Sequence, residues 1–338
     1  MVLPKVSIII PIYNPGEYFV KCLDSAINQT LTDIEIICID DGSTDDSINL
    51  LEKYSKNDKR FKIFHQENLG AGAARNKGIE NANGEFIIFL DSDDWIEKDM
   101  CEKLYNHAKH LDADLVLFDV IWYHKNNKKE LFKYFNDEEF NHDYNSFVFN
   151  RVLIHDKIVN PSLGVIWSKF YKASFLKNNN IKFSTYKIYN DVVFHFKTIL
   201  SADKIAYYPY VFYHYIKVGQ PSLQTSYRWG KYESTWFNVM LEVREFLSEN
   251  NLMDEFKLIF LNYSFSSFER KLNGTHEEYK SEFFDKIKYF YESFDLSLDE
   301  FESLIFSYQT YYVHVLCCDN YEEFNQMNNV FNGKNISI

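Results

Sequence analysis

The chain has few cysteines, and they form no recognisable pattern. Its five cysteines are an odd number, with no Cys-X-X-Cys pair and no histidine at zinc-finger spacing: Cys22, Cys38, Cys101, Cys317 and Cys318. A disulfide framework or a structural zinc site would require such a pattern. We therefore expect reduced thiols, which are typical of a cytosolic protein.

Basic residues are in deficit. The 36 Lys and Arg residues against 49 Asp and Glu residues give a formal net charge of -13. A chain this acidic is poorly suited to a polyphosphate partner, so no nucleic-acid binding is expected. From residue 226 onward 10 basic residues face 19 acidic ones, and this region should be repelled by anionic lipid.

Long hydrophobic runs are missing as well. No uncharged segment approaches the roughly 20 apolar residues of a membrane-spanning helix. The apolar run in MVLPKVSIIIPIYN is too short for a signal peptide, and FSYQTYYVHVLCC is interpreted as a core helix or strand. We therefore expect a cytoplasmic protein; peripheral attachment to the inner face of the cell membrane and assembly into oligomers stay open.

What is present is a repeated strand-and-helix pattern. The apolar runs KVSIII, IEIICI, FKIFH and EFIIFL each precede a stretch of helical periodicity, and ADLVLF supplies a fifth strand. Continuous hydrophobicity is typical of strands covered on both faces. Alternating strands and helices predict an α/β fold, Rossmann-like, with a mainly parallel central sheet. The predicted helices cover residues 16–29, 43–56, 71–82 and 96–111.

The periodicity weakens after residue 120, in the polar stretch YHKNNKKELFKYFNDEEFNHDYNS. From residue 227 onward long amphipathic stretches rich in Phe and Tyr predict a helical C-terminal region. Its aromatic residues are interpreted as core. The sequence therefore predicts three segments, residues 1–120, 121–225 and 226–338.

The most informative feature is a group of acids after the fourth run. In GEFIIFLDSDDW the apolar residues lead directly to Asp91, Asp93 and Asp94. Like charges this close repel one another and are costly to desolvate, so they need open water or a cation. Carboxylates are preferred ligands of Mg²⁺ and Mn²⁺. The group predicts a divalent-metal or sugar-phosphate site; the alternative is a solvated turn with helix-capping aspartates.

The other strand ends are polar too, and carboxyl ends of strands converge on the ligand site in open α/β sheets. Tyr13, beside Pro11, offers a flat ring for stacking a nucleobase, or packs under a loop. Asp41, next to Asp40, can accept from a base N–H or a ribose hydroxyl, although DGST is also a good turn and cap. Arg75 either reaches a phosphate or braces the acidic loop.

The segment GAGAAR, taken alone, could be mistaken for a dinucleotide-binding fingerprint. That fingerprint should follow the first strand, whereas here it follows the third and PIYN follows the first. This order argues against an oxidoreductase.

As an ordered set, VSIIIPIYN, CLDSAINQT, DIEIICIDDGSTDDS and NLGAGAARNKGIENANGEFIIFLDSDDW resemble the family 2 glycosyltransferases with the GT-A fold, of the bacterial surface-polysaccharide type. The likeness is dense to about residue 100 and looser to about 225, through GVIWSKFYK, YNDVVF and FYHYIKVGQPS. It implies inverting transfer of a sugar from a nucleotide sugar, with UDP as the expected nucleotide, to a glycan or glycolipid acceptor. It also implies that residues 1–120 bind the nucleotide sugar and residues 121–225 the acceptor.

The resemblance assigns roles in the acidic loop and at a base. Asp91, with Ser92 beside it, would bind the ribose or sugar, and Asp93 with Asp94 would bind Mn²⁺ or Mg²⁺. An acceptor hydroxyl must lose its proton as it attacks, and Asp191 stands at the family's catalytic acidic position. The family usually has Glu-Asp there, whereas this chain has Asn190. The alternative for Asp191 is a helix N-cap.

Looser matches suggest further positions. Trp167 and Lys169 correspond to a family position beside the donor sugar and acceptor, although a Trp is more often core. Lys217 and Ser222 would belong to a loop over the diphosphate. His214 is a further candidate metal ligand or, alternatively, a core histidine with satisfied ring nitrogens.

Two other functions compete with a transferase. A non-catalytic nucleotide-sugar or glycan-binding module would keep the fold, but it would need no base such as Asp191. A nucleotidyltransferase would predict a Gly-rich phosphate loop bearing Arg or Lys after the first strand, which PIYNPGEY lacks.

Overall fold

A computed structural model describes residues 3–124, 128–136, 143–154, 165–217 and 233–331. The chain divides into two compact units, Met1–Gln220 and Pro221–Ile338. The described part of the first unit is an α/β structure, and that of the second is helical. No helix in the described ranges is long and apolar enough to cross a bilayer.

The first unit is built around one ten-stranded sheet. Its strands are β1 (Val6–Ile12), β2 (Ile34–Asp40), β3 (Phe61–His65), β4 (Phe86–Phe89), β5 (Trp95–Ile96), β6 (Leu115–Tyr123), β7 (Lys129–Phe132), β8 (Val148–Phe149), β9 (Lys169–Lys172) and β10 (Ile205–Ile216). Its described helices are α1 (Phe19–Ile27), α2 (Ser47–Asn57), α3 (Ala71–Asn81), α4 (Met100–Leu111), α5 (Ala173–Asn178) and α6 (Asn190–Ser201).

The strand order is β3-β2-β1-β4-β9-β6-β10-β5, with β7 on β6 and β8 on β10. The parallel arrangement predicted from the sequence is confirmed for β3, β2, β1 and β4. The sheet as a whole is mixed, because β9 lies antiparallel between β4 and β6. Antiparallel pairing needs no crossover helix, so short strands from the weakly periodic residues after 120 can join the sheet.

Every residue of β1 and of β2 is buried, which is why both read as unbroken apolar runs. The predicted helices begin too early, since α1 begins at Phe19, α2 at Ser47 and α4 at Met100. Turns occupy the intervening residues, and Trp95–Ile96 pairs with β10. The polar strand-end loops are therefore longer than helical periodicity suggests.

Helix α3 packs closely on β1 at Gly78. A Cβ at Gly78 would lie 2.4 Å from Cγ2 of Ile9, which is itself fully buried. Gly78→Ala is therefore expected to lower the free energy of unfolding by ~1–3 kcal/mol, because the new methyl group is fixed to the helix and the buried Ile9 side chain cannot move aside. Helix propensity alone predicts the opposite sign, a gain of ~1 kcal/mol. Urea unfolding measures the difference. The exposed Glu80→Ala variant in the same helix is the control, and a stabilised Gly78→Ala protein would refute the close packing.

The second unit contains α7 (Glu233–Glu249), α8 (Met253–Gly274), α9 (Glu277–Glu292), α10 (Leu298–Glu302), α11 (Phe306–Cys317) and α12 (Tyr321–Phe331). Aromatic side chains form its core, with Phe265 stacked on Tyr291 at a centroid distance of 4.5 Å. All but the last residue of the segment FSYQTYYVHVLCC forms α11, in which Tyr311 and Val315 are buried. The aromatic residues of this unit therefore pack mainly as core, as the sequence predicted, although Tyr289 and Phe306 are exposed.

Candidate functional site

The carboxyl ends of β1 and β2 are joined at one edge of the sheet. Pro11 is buried within β1, whereas the Tyr13 side chain just beyond it is 43% exposed. Asn14 adopts a left-handed conformation with φ 46°, and its Oδ1 accepts from the Thr44 N–H at 2.9 Å. The two loops are thereby fixed to each other, and the Tyr13 ring is open to solvent beside them.

Asp41 is buried and holds the loop that leads into α3. Its Oδ1 accepts from Gln66 Nε2 and from the Leu69 N–H, both at 2.8 Å. Its Oδ2 accepts from the Gly70 N–H at 2.8 Å, and Gly70 has φ 94°. A base N–H would have to share this carboxylate with three donors.

Asp40 is equally buried and makes a local turn. Its Oδ1 accepts from the Ser43 N–H at 3.0 Å, and its Oδ2 lies 3.1 Å from His65 Nδ1. Asp40 therefore makes a turn with DGST, the segment that follows it and for which the sequence left a turn as the alternative.

Of the three acids after β4, Asp94 is the one whose side chain is enclosed by the protein. Asp94 is fully buried, with Oδ2 accepting from the Tyr213 hydroxyl at 2.7 Å and Oδ1 from the Ile216 N–H at 2.8 Å. Burial raises the pKa of Asp94 well above its ordinary value, and Asp93 and Asp91 add repulsion. The same Tyr213 oxygen accepts from the Asp91 N–H at 3.1 Å. Tyr213 and Asp94 thus fasten the acidic loop to β10.

Asp93 is the exposed member of the group. Neighbouring groups still remove part of its water, and this, with repulsion from Asp91, raises the pKa of Asp93 to about 6. Within the described ranges it makes no hydrogen bond or ion pair with another side chain. Because α4 begins at Met100 with Asp99 as N-cap, the acidic group does not cap that helix. Asp93, beside the half-buried Ser92, is the carboxylate open to a cation.

Arg75 braces the site from α3. Its Nη2 donates to Asp91 Oδ1 at 2.7 Å and its Nη1 to Asn190 Oδ1 at 3.2 Å. The side chain is buried, and its Nε has no hydrogen-bond partner among the described residues. Of the two roles considered for Arg75, this geometry favours bracing.

Asp191 lies in the first turn of α6, close to this ion pair. The helix N-cap is Tyr189, with φ 61°, so the alternative of Asp191 as N-cap does not hold. Burial raises the pKa of Asp191, while the positive charges of Arg75 and Lys169 oppose the rise. A carboxylate of raised pKa is a stronger base. The fold therefore brings Asp191, Arg75 and Asp91 together from α6, α3 and the loop after β4.

An aromatic stack lines the β10 side of the site. Trp167 is 5% exposed and stacks on Tyr213 and Tyr215, at centroid distances of 4.8 and 5.1 Å. Sequence reasoning missed both tyrosines, although their alternation with His214 in FYHYIK was a detectable signal. Trp167 is core, and Tyr213, whose hydroxyl donates to Asp94, is the ring of this stack that contacts a carboxylate.

Lys169 is fully buried on β9, where its ammonium donates to the Val165 carbonyl. Burial lowers the pKa of Lys169 to about 7, although Asp191 partly opposes this. The buried ammonium lies among core groups rather than at an open donor-binding surface.

The buried Lys169 predicts a pH-dependent stability. The unfolded chain has an ordinary lysine pKa of 10.5 and binds the proton more strongly than the folded chain. Wild-type stability should therefore rise as pH rises from 7 towards 10. Between pH 7 and 9 the wild type should gain ~2 kcal/mol relative to Lys169→Met. Urea unfolding at pH 7, 8 and 9 tests this, with Lys172→Met on the same strand as control. Parallel curves for wild type and Lys169→Met would contradict it.

His214 has both ring nitrogens engaged. Its Nδ1 lies 3.0 Å from the Tyr123 hydroxyl and its Nε2 2.8 Å from Glu97 Oε1. The ring stacks on Trp95 at 5.0 Å, and burial lowers the pKa of the imidazole. This arrangement favours the alternative of a satisfied core histidine over a metal ligand.

Lys217 directly follows β10 and is exposed, with its Nζ 4.9 Å from the centre of the Trp122 ring. In the described ranges it forms no ion pair with a carboxylate. Ser222, its predicted partner in a loop over the diphosphate, lies outside the described residues.

The acidic loop fits a metal that is shared with a substrate. Among the described side chains, no group of three or more His, Cys, Asp or Glu is arranged to hold a metal. Mg²⁺ is commonly held by one or two carboxylates together with substrate phosphates, so a complete protein cage is not required. The unpaired, exposed carboxylate of Asp93 next to Asp91 suits that mode.

Comparison with known proteins identifies the family. Residues 7–175 match the family model described as Glycosyl transferase family 2. EpsH of Bacillus subtilis, named as a glycosyltransferase, is 35% identical over 265 residues, 76% of this chain and 73% of that protein. The poly(ribitol-phosphate) beta-glucosyltransferase of Bacillus spizizenii is 32% identical over 312 residues, 88% of this chain but 46% of that protein.

A solved structure supports the fold assignment. S. aureus TarS 1–349 in complex with UDP-GlcNAc matches with a TM-score of 0.78 at 21% identity, covering 99% of this chain and 93% of that chain. At this identity the likeness shows the fold, the GT-A arrangement expected from the sequence. The family match over residues 7–175 and the likeness to EpsH establish that the chain belongs to glycosyl transferase family 2 and is a glycosyltransferase.

Proposed function

We propose that this glycosyltransferase moves a sugar from a UDP-sugar to a hydroxyl of a growing cell-surface glycan, with inversion and with Mn²⁺ or Mg²⁺. The observation that carries the proposal is the convergence of three acids with separate surroundings. Asp93 is exposed and unpaired, Asp91 is fixed by Arg75, and Asp191 projects from α6 with a raised pKa. These are the surroundings needed by a metal ligand, a donor ligand and a base.

The donor would bind at the carboxyl ends of β1, β2 and β4. The exposed Tyr13 ring is suited to stacking the base, and Asp41 is suited to accepting one further hydrogen bond. Lys217 would approach the diphosphate from the end of β10. The solved complex of TarS with UDP-GlcNAc supports a UDP-sugar as the donor class.

Asp93 would hold the metal together with donor phosphate oxygens. Both oxygens of Asp94 accept hydrogen bonds, so its role would be to anchor the loop that presents Asp93. When bound, the divalent cation offsets the negative charge of the diphosphate leaving group. His214 is left out of this set because both of its nitrogens are engaged.

Asp191 would remove the proton of the acceptor hydroxyl as that oxygen attacks the anomeric carbon. Arg75 donates to Asp91, and its positive charge also acts on Asp191, so one guanidinium serves both carboxylates. A single displacement with the base on the face opposite the leaving group inverts the anomeric centre. No covalent sugar-enzyme intermediate is needed.

The acceptor would be a surface glycan or glycolipid. The name of the Bacillus spizizenii relative, a poly(ribitol-phosphate) beta-glucosyltransferase, supports a polymer of the teichoic-acid type. The part of the sheet formed by β6, β9 and β10 would face this acceptor.

Turnover of a panel of nucleotide sugars, each with Mn²⁺, Mg²⁺ or EDTA, tests the proposal. We expect slow hydrolysis of one UDP-sugar, dependent on metal and accelerated by an acceptor extract, with an inverted product by NMR. Metal-dependent binding without turnover, even with acceptor extracts, would instead favour a nucleotide-sugar-binding module. Retention of configuration would refute the single displacement.

A further inference from the structure

Helix α3 is fastened to the segment that leads into α6. Asn76 makes two hydrogen bonds with the Phe183 backbone, Nδ2 donating to its carbonyl at 2.9 Å and Oδ1 accepting from its N–H at 2.8 Å. A Cβ at Gly72 would lie 2.6 Å from the Ser184 carbonyl oxygen and 3.0 Å from Asn190 Cβ. The segment is therefore seated on α3 without room for another methyl group.

Asn190 makes the next contact between the same elements. Its Oδ1 accepts from Arg75 Nη1 at 3.2 Å, and its Nδ2 donates to the Tyr186 carbonyl at 3.2 Å. The other end of the Arg75 guanidinium donates to Asp91 at 2.7 Å. One buried guanidinium thus connects the loop after β4 to the residue that precedes Asp191.

Asp191 is surrounded by charged and titratable groups, whereas its neighbour Asn190 is neutral. Asp191 is faced by Arg75 from α3, Asp91 from the loop after β4, Lys169 from β9 and Tyr215 from β10. Asn190 is neutral, so it orients Arg75 without taking up its charge. A carboxylate at position 190 would form a stronger, charged pair with Arg75 and would stand next to Asp191.

We propose that Asn190 is a positioning residue for the reaction: through Arg75 it fixes Asp191 relative to Asp91, so that base and donor keep one geometry. The inference rests on the proposed function, in which Asp191 is the base and Asp91 a donor ligand. A neutral amide at this position holds both aspartates around one arginine. Small misplacements of a reacting group can cost ~100-fold in rate, so a single buried hydrogen bond can carry this role.

The test compares Asn190→Ala and Asn190→Asp with the wild type and with Asn179→Ala, an exposed asparagine that also bonds to a backbone carbonyl. For Asn190→Ala we expect kcat to fall ~10- to 100-fold while the donor KM and UDP affinity change less than ~3-fold. For Asn190→Asp we expect the acidic limb of the kcat–pH profile to move up by about one unit. Asn179→Ala should match the wild type.

Three results separate the possible failures. A wild type that turns over no donor would refute the proposed function itself. A wild type that is active, with Asn190→Ala and Asn190→Asp both matching it in kcat and pH profile, would overturn only the positioning role. If Asn190→Ala does not fold, Asn190→Asp still decides, because a wild-type pH profile in that variant contradicts the inference.

Discussion

Replacing Asp191 with Asn is expected to lower kcat by ~1,000-fold while leaving UDP-sugar binding almost unchanged. A positioned general base contributes ~100- to 10,000-fold, and an amide cannot accept the acceptor proton. Burial and nearby Asp91 raise the pKa of this carboxyl, which strengthens it as a base. Transfer kinetics at saturating donor and metal, together with calorimetry of UDP binding, measure both effects.

Asp203→Asn is a matched control, since Asp203 is exposed just after α6. It should retain wild-type kcat. If Asp191→Asn kept kcat within ~10-fold, the loss would be too small for a general base, and the proton acceptor would have to be another group. If UDP affinity fell together with kcat, Asp191 would act in donor binding instead.

The parallel half of the sheet, β3, β2, β1 and β4, was predictable because its central strands are covered on both faces. Full burial of β1 and β2 makes each an unbroken apolar run, and such runs are visible without knowledge of their partners. The positions of the acids at the strand ends were predictable from the same pattern, because the acids directly follow apolar runs. The strand that begins at Lys169 has only four residues and pairs antiparallel with β4 and β6, so its place in the sheet depends on distant partners.

The different roles of Asp93 and Asp94 could not be predicted either. The two residues are adjacent and chemically identical, and local periodicity does not distinguish them. Their difference comes from Tyr213 and Ile216, more than 100 positions away, which bind both oxygens of Asp94 and leave Asp93 exposed. Antiparallel pairing of Trp95–Ile96 with β10 makes this contact possible. The sequence likewise left Arg75 undecided, because its partner Asn190 is equally remote.

Asp93→Ala is expected to remove the metal-dependent part of donor binding and to lower kcat by ~100-fold or more, since a metal supplies several kcal/mol of charge stabilisation. Wild-type UDP affinity should be higher with Mn²⁺ than with EDTA, and the two values should become equal in Asp93→Ala. Calorimetry of UDP binding measures this without reference to turnover.

The stability of the same variants separates a ligand from an anchor. Asp93 is exposed and repelled by Asp91, so Asp93→Ala should unfold at the wild-type temperature or slightly above it. Asp94→Ala should lower the free energy of unfolding by ~1–3 kcal/mol or more, because it leaves the buried Tyr213 hydroxyl and the Ile216 N–H without their acceptor. A Mn²⁺ effect on UDP binding that survives in Asp93→Ala would place the metal on other groups. In that case the exposure of a carboxylate in the folded chain would not explain which of these acids binds the metal.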